Sequence, residues 1–391
     1  MENTEKFYTK TQVWIKPALI VGAAGIVLSL VAAYTDREQF YFSYLTAYVF
    51  WAGIMLGGLF FTMIHHISGA VWSVVLRRIT ESIMSAAPII GVLFIPLIFG
   101  IHDLYHWSHA DVVAQDALLQ KKAGYLNIPF FIIRSVIYLA VWIILAFVLY
   151  RKSIKQDHAF NSDDLTKMKR ISAPGIVAFA LTITFAAFDW LMSLDPHWYS
   201  TIFGVYIFAG SFLSALAFIA VLGLAFRKKA ILADVITVEH YHDLGKFLFA
   251  FTIFWGYMAF SQYFLIWYAN IPEETIWYHH RWEDNWKILT MILVFGHFLV
   301  PFLGLMPRAA KRNLTYLKFM SIWILVMHFI DIYWIAMPAL HPHGFRFSWI
   351  DGATFLAIGG IVVWYITRKF VAGSLVPVND PKLLESIRHV N

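Results

Sequence analysis

The sequence predicts an all-α integral membrane protein that crosses the bilayer ten times. Three observations carry that reading. Of 391 residues, 60% are hydrophobic and only 14% are charged, with a mean hydropathy of +0.65. A soluble domain averages roughly 45–50% apolar and about 25% charged residues, so no globular core accounts for this chain and lipid must solvate most of it. Second, the apolar residues fall into ten stretches of about 20, the length that spans a hydrocarbon core. Third, the basic residues gather on alternate sides of those stretches. An ordinary cytosolic enzyme, a disordered chain and a secreted disulfide scaffold are all excluded.

The spans are expected at 16–34, 43–64, 83–101, 129–150, 173–191, 200–226, 244–269, 287–306, 316–337 and 350–370, within a single polytopic domain covering 1–391. The segment before the first span, 1–15, is polar and lacks the small-residue cleavage pattern of a signal peptide, so that span is read as a retained anchor. In the third and fifth spans Pro88, Pro96 and Pro174, with Gly91 and Gly100, are expected to kink the helices and admit water. Of the 30 Lys and Arg, only Arg37, Lys121, Lys122, Arg134, Arg281, Lys287 and Arg346 fall on the side opposite the termini. The retention of basic residues on the cytoplasmic side therefore puts both termini in the cytoplasm and supports an even helix count. The net charge of +6 comes from this flanking pattern and does not indicate nucleic acid.

The chain has no Cys. That excludes disulfides, thiolate-held zinc, a catalytic Cys and any iron–sulfur cluster ligated entirely from this chain. No GxGxxG after a strand, Walker loop, HExxH or tandem repeat is present. The loops opposite the termini are compact and aromatic: 101–127 carries His102, Asp103, His106, Trp107 and His109, and 192–199 reads MSLDPHWY. Segments 269–286 and 337–349 add further Trp and His. Such loops suit either the headgroup belt or a surface packed against other proteins.

Ionisable side chains inside apolar helices cost several kcal/mol unless paired or wet, so each is a functional candidate. His297 sits midway along the eighth span. His328 lies similarly deep in the ninth, and Asp331, three residues on, shares its helix face. A carboxylate beside an imidazole suits a proton relay; the bland alternative is a satisfied pair that locks the helix in place. Two mid-depth histidines also raise bis-His haem b, against which stands the lack of a second His pair or a small-residue surface beyond Gly296 and Gly304. Nearer the outer ends lie Arg134, Asp189, His102 and Asp103, with Ser261 and Gln262 in the seventh span. Arg134 and Asp189 are at matching depth for an ion pair. At the inner ends, His65, His66, Glu81 and Lys246 read individually as solvated helix termini and collectively as an inner proton station.

Two strings go beyond composition: FDWLMSLDPHWYSTIFGVYIFAG (188–210) and HDLGKFLFAFTIFWGYMAFSQYFLIWYANIPEET (242–275). With the ten-helix layout they resemble the NrfD/PsrC-like membrane subunits of bacterial alternative complex III, a quinol:electron-acceptor oxidoreductase. HHISGAVWSVVLRRITES (65–82) is similar to the second, smaller of that complex's two ten-helix subunits, ActF. The resemblance implies two four-helix bundles, helices 2–5 and 6–9, flanked by helices 1 and 10. It implies a larger NrfD-like quinol-binding subunit, an iron–sulfur subunit, a multihaem cytochrome c subunit, small membrane subunits and a terminal oxidase as partners. Haem c and iron–sulfur clusters then sit in those partners, menaquinol or lipid nearby, and no cofactor in this chain. In the larger relative a His in an early helix adjoins the quinol pocket; here His65 and His66 fall at the end of the second span, away from such a position.

The lead expectation is a non-redox subunit of the bacterial inner membrane that stabilises the complex and conducts protons through His297, His328, Asp331 and Asp189, with His65 and Glu81 further in. One alternative is a quinone-binding subunit with a pocket near Arg134, His102 and Asp103. Another is a stand-alone secondary transporter.

Overall fold

In the computed structural model, residues 15–159 and 161–390 are described; the polar segment 1–14, with its Lys6 and Lys10, lies outside them. Ten helices long and apolar enough to cross a membrane are present. They are α1 (Ile15–Thr35), α2 (Arg37–Ser68), α3 (Val74–Phe99), α4 (Ile128–His158), α5 (Ser162–Leu194), α6 (Phe203–Lys228), α7 (Val238–Ala269), α8 (Trp286–Leu305), α9 (Leu314–Ala339) and α10 (Trp349–Val371). No strand occurs among the described residues.

Several helices outrun the apolar stretch that predicts them, because polar caps extend them past the lipid. α2 starts at Asp36, whose carboxylate accepts the backbone N–H of Gln39, and stops at Gly69, which adopts φ +61. α7 starts in a capping box of Thr237 and His240, and α10 in one of Ser348 and Asp351. The expected breaks in α3 are present: its helical pieces restart at Ala87–Leu93 and Ile95–Phe99, each with a proline in the first turn. Pro174 behaves differently, and α5 runs through it unbroken as Ser162–Trp190. The carbonyl that a proline at 174 frees is that of Arg170, which is exposed, so solvent can satisfy it.

Helices α2–α5 pack as one four-helix bundle and α6–α9 as another, and the two meet mainly along α2 and α6. Those two central helices have 89% of their apolar window buried, against 28% for α1, α7 and α8, which present broad faces to lipid. The central contact is set by small residues. A Cβ on Gly57 would lie 2.2 Å from Ala215 Cβ, and one on Gly53 would lie 2.8 Å from Ser211 Oγ. Backbones brought this close exchange dispersion contacts that larger side chains would prevent, the usual basis of helix association in lipid. α10 packs on α2 and carries α1 by the same means: a Cβ on Gly25 would lie 2.4 Å from the backbone N of Ala357, and one on Gly360 would lie 2.3 Å from Gly22 Cα.

Beyond α10 the chain folds back across the face that bears both ends of the described chain. Lys382 Nζ donates to the Gly69 carbonyl (2.6 Å), Ser386 Oγ to the Trp72 carbonyl (3.1 Å), and His389 Nε2 lies 2.8 Å from Asp243 Oδ2. This strap roofs the inner end of both bundles.

Replacing Gly57 by Leu is expected to destabilise the folded protein by about 1–3 kcal/mol or more through overpacking of the central contact. Thermal melting in detergent checks this, with Gly352→Ala, where a Cβ meets nothing within 4 Å, expected to melt like the parent.

Candidate functional site

The groups predicted on α8 and α9 converge inside the second bundle. His328 and Asp331 lie side by side on α9, with Nδ1 3.9 Å from the carboxylate Oδ2, and the rings of His297 and His328 are 6.3 Å apart. All three side chains are buried. His297 sits in a π-helical turn, Leu293–Leu299, within α8. Such a turn interrupts the regular ladder and re-aims side chains, and π turns recur at functional sites. Trp323 Nε1 donates to the Gly296 carbonyl in that turn (2.7 Å).

Two further helices complete the site. The Tyr206 hydroxyl on α6 donates to Asp331 Oδ1, and Trp255 Nε1 on α7 donates to Oδ2 (3.0 Å). The Trp255 ring also lies against His297, centroids 3.9 Å apart, while Gly210 packs against His328 so closely that a Cβ there would stand 2.7 Å from Cε1. Porphyrin held between the two imidazoles would have to displace this packing. Neither ring nitrogen of His297 or His328 has a hydrogen-bond partner. Buried polar atoms are ordinarily satisfied, so four unpartnered imidazole nitrogens in one bundle single this cluster out as the candidate site.

Tyr206 and Trp255 are the residues that sequence reasoning passed over. Both lie in the strings 188–210 and 242–275, and both are polar-tipped aromatics inside apolar helices, where such a tip needs a buried partner. That was the available signal.

The first bundle is neutralised differently. Arg134 and Asp189, matched in depth from the sequence, form a two-pronged ion pair: Nε to Oδ2 at 2.8 Å and one terminal nitrogen to Oδ1 at 2.9 Å. Tyr138 donates its hydroxyl to the same carboxylate (2.8 Å), the other guanidinium nitrogen donates to the Tyr125 carbonyl (2.8 Å), and the guanidinium lies 3.8 Å from the centre of the Tyr125 ring. Every prong of Arg134 is committed. A cavity of about 20 Å³ between α2, α4, α5 and α6, lined by Trp142, Trp190 and Ser211 among others, has room for one water and not for a quinone ring. His102 and Asp103 do not meet Arg134. His102 Nδ1 faces Ser108 Oγ at 3.1 Å, and Asp103 pairs with Arg37 at 3.1 Å.

At the inner end the reading as solvated termini gives way to burial for three of the four residues. Glu81 is inaccessible and bridges Arg77 (3.1 Å) and Arg78. Arg78 also binds Asp157 (2.6 Å) and Ser153, while Arg77 reaches Gln156 (2.9 Å) and Asp380 of the strap (2.5 Å). Two guanidiniums thus face three carboxylates. His65 is buried beside them, Nδ1 2.7 Å from Ser73 Oγ, with the His66 ring 5.4 Å away. Only Lys246 behaves as expected of a helix end, half exposed and paired with Asp243 (2.5 Å). The burial follows from the strap, whose Asp380 lies 303 positions from Arg77 in sequence. Among the described residues no three His, Asp or Glu stand close enough to share a metal ion.

No protein-family model matches the chain, and no curated protein is significantly similar to it in sequence.

Arg134→Gln is expected to cost about 3–5 kcal/mol, because it strands a buried carboxylate. The double variant Arg134→Met/Asp189→Leu should recover most of that loss. Melting of the three proteins in detergent tests it: a single variant as stable as the parent contradicts the ion-pair account.

Proposed function

We propose that the chain is a non-redox membrane subunit of a quinol-oxidising respiratory complex of the alternative complex III kind, and that its second bundle passes protons through Asp331, His328 and His297. The observation that carries this is the setting of Asp331. It is a buried carboxyl group hydrogen-bonded by Tyr206 and Trp255, with no Lys or Arg bound to it among the described residues and with His328 as its one ionisable basic neighbour.

Neutral acid plus neutral imidazole carries the same net charge as carboxylate plus imidazolium. A proton can therefore move from Asp331 to His328 without burying a new net charge, the costly event in a low-dielectric interior. The 3.9 Å separation is too long for direct transfer, so a rotation of the imidazole or one bridging water must close it. His297, its two nitrogens free, stands next in line on α8. The Arg134–Asp189 pair of the first bundle lacks this freedom, which leaves Asp189 an anchor and the second bundle the conductor.

The lack of Cys rules out thiolate-held clusters in this sequence, which supports a role in which partners move the electrons. In this reading haem c and iron–sulfur clusters belong to partner subunits, and a larger NrfD-like subunit binds the quinol. The protein resides in the bacterial cytoplasmic membrane with both termini on the cytoplasmic side, as the distribution of Lys and Arg supports.

Asp331→Asn keeps the shape and the two donors but cannot exchange a proton. In liposome-reconstituted complex it is expected to slow proton translocation about tenfold or more, equivalent to ~1.4 kcal/mol or more on the transfer barrier. Asp331→Glu should restore part of it. Unchanged proton release per quinol in a fully assembled Asp331→Asn complex would make the residue structural.

A further inference from the structure

The outer end of the second bundle is closed by an aromatic stack with a cation inside it. Trp198 and Trp277 lie face to face, centroids 4.4 Å apart and planes 12° from parallel, and Trp334 meets Trp277 edge-on at 5.2 Å. All three are buried, although the sequence places them in loops or at a helix end where headgroups or partner proteins are the expected neighbours. Against Trp277, 3.5 Å from its ring centre, sits the guanidinium of Arg281, itself only 4% exposed.

Among the described residues Arg281 binds no carboxylate. Its nitrogens donate to three backbone carbonyls: Trp277 (2.9 Å), Trp334 (3.1 Å) and Ile335 (2.8 Å). Its own carbonyl accepts from the Thr290 hydroxyl on α8 (2.7 Å), and that hydroxyl oxygen accepts from Trp334 Nε1 (2.9 Å). The side chain is thus fixed at both ends and caps the outer end of α9, where carbonyl groups favour a cation. Trp334 and Ile335 lie three and four residues beyond Asp331, one helical turn. The ionisable groups facing Arg281 are Tyr206 of α6, Tyr278 of the short helix Pro272–His280, and Asp195 of the α5–α6 loop. Burial brings the Arg281 guanidinium down from its ordinary value to about 9, which leaves it charged at neutral pH.

Arg134 offers an internal comparison. It occupies the outer end of the first bundle, also stacked on aromatic rings and also bound to a carbonyl, yet its charge is cancelled by Asp189. The Arg281 charge is not cancelled in this way. A fixed buried cation one helical turn from a buried acid repels hydronium and other cations, as an Arg does in water-selective pores.

Building on the relay proposed above, we propose that Arg281, clamped in the Trp198–Trp277–Trp334 stack, is the outer electrostatic barrier that stops protons leaking from the outer face back onto Asp331. Removing the charge while keeping the lid opens a passive leak that runs through Asp331. Keeping a charge there keeps the bundle tight.

The test uses the intact complex in liposomes without quinol turnover, with an imposed pH difference followed by an entrapped pH dye. Arg281→Gln is expected to leak protons about tenfold or more faster than the parent, Arg281→Lys to stay tight, and Arg281→Gln/Asp331→Asn to be tight again. A parent-like Arg281→Gln, or an equal leak in the double variant, overturns the proposal. Arg281→Met covers the case in which Arg281→Gln fails to assemble: it keeps an apolar stem against Trp277 without the charge, and is expected to leak like Arg281→Gln, with the leak absent in Arg281→Met/Asp331→Asn. A parent-like Arg281→Met also overturns the proposal. If Asp331→Asn leaves quinol-driven proton release unchanged, the relay reading falls by itself; if only the leak predictions fail, the relay stands without this barrier.

Discussion

Helix α2 meets helix α6 with almost nothing between them, and the rest of the bundle is arranged around that contact. Gly53 and Gly57 lie against Ser211 and Ala215, so two backbones run side by side through the middle of the molecule. Lipid offers no hydrophobic drive for helices to associate, and dispersion at short range has to supply it. Because α2 belongs to the first bundle and α6 to the second, the same contact joins them. It also sets where Tyr206, earlier on α6, and Gly210, the residue just before Ser211, can stand relative to α9. The Asp331 site is therefore positioned by small residues that take no part in its chemistry.

Around that seam the two bundles treat buried charge in contrasting ways. Asp189 and Asp331 each precede a proline by seven residues, Pro196 and Pro338, and each lies near the outer end of its bundle's last helix. Asp189 is held by a guanidinium and a tyrosine, an arrangement with no slack. Asp331 is held by a tyrosine and a tryptophan, with imidazoles alongside that have nothing else to bind. The first is a lock, and the second is the group on which the proposed relay rests. A third collection, Arg77, Arg78, Glu81, Asp157 and Asp380, shows how the inner end keeps its charges paired: the chain's own C-terminal strap supplies an acid.

Much of this was legible in the residues. Ten apolar stretches gave ten helices, since the bilayer imposes one length on each. Pro88 and Pro96 broke α3 as their missing N–H groups require, whereas Pro174 did not break α5, where the residue four positions earlier, Arg170, is exposed. The facing of His328 and Asp331 followed from a spacing of three, and Arg134 with Asp189 from depth alone. What stayed hidden depends on contacts between distant segments. Nothing near His65 or Glu81 announces a roof built from residues about 300 positions away. The Trp-rich loops read as membrane-belt or partner surfaces because composition cannot say whether a loop turns outward or folds in; Trp198 and Trp277 fold in. Tyr206 and Trp255 were visible as residues, but their shared target on α9 emerges only when four helices are brought together.

The most direct measurement on the central claim is infrared difference spectroscopy of the assembled complex between its resting and quinol-reduced states. The account predicts a carboxyl C=O band that changes on turnover, shifts in heavy water and disappears in Asp331→Asn while the Asp189→Asn spectrum keeps it. An Asp331→Asn spectrum identical to that of the parent would show that this carboxyl group never exchanges its proton, and the account would be wrong.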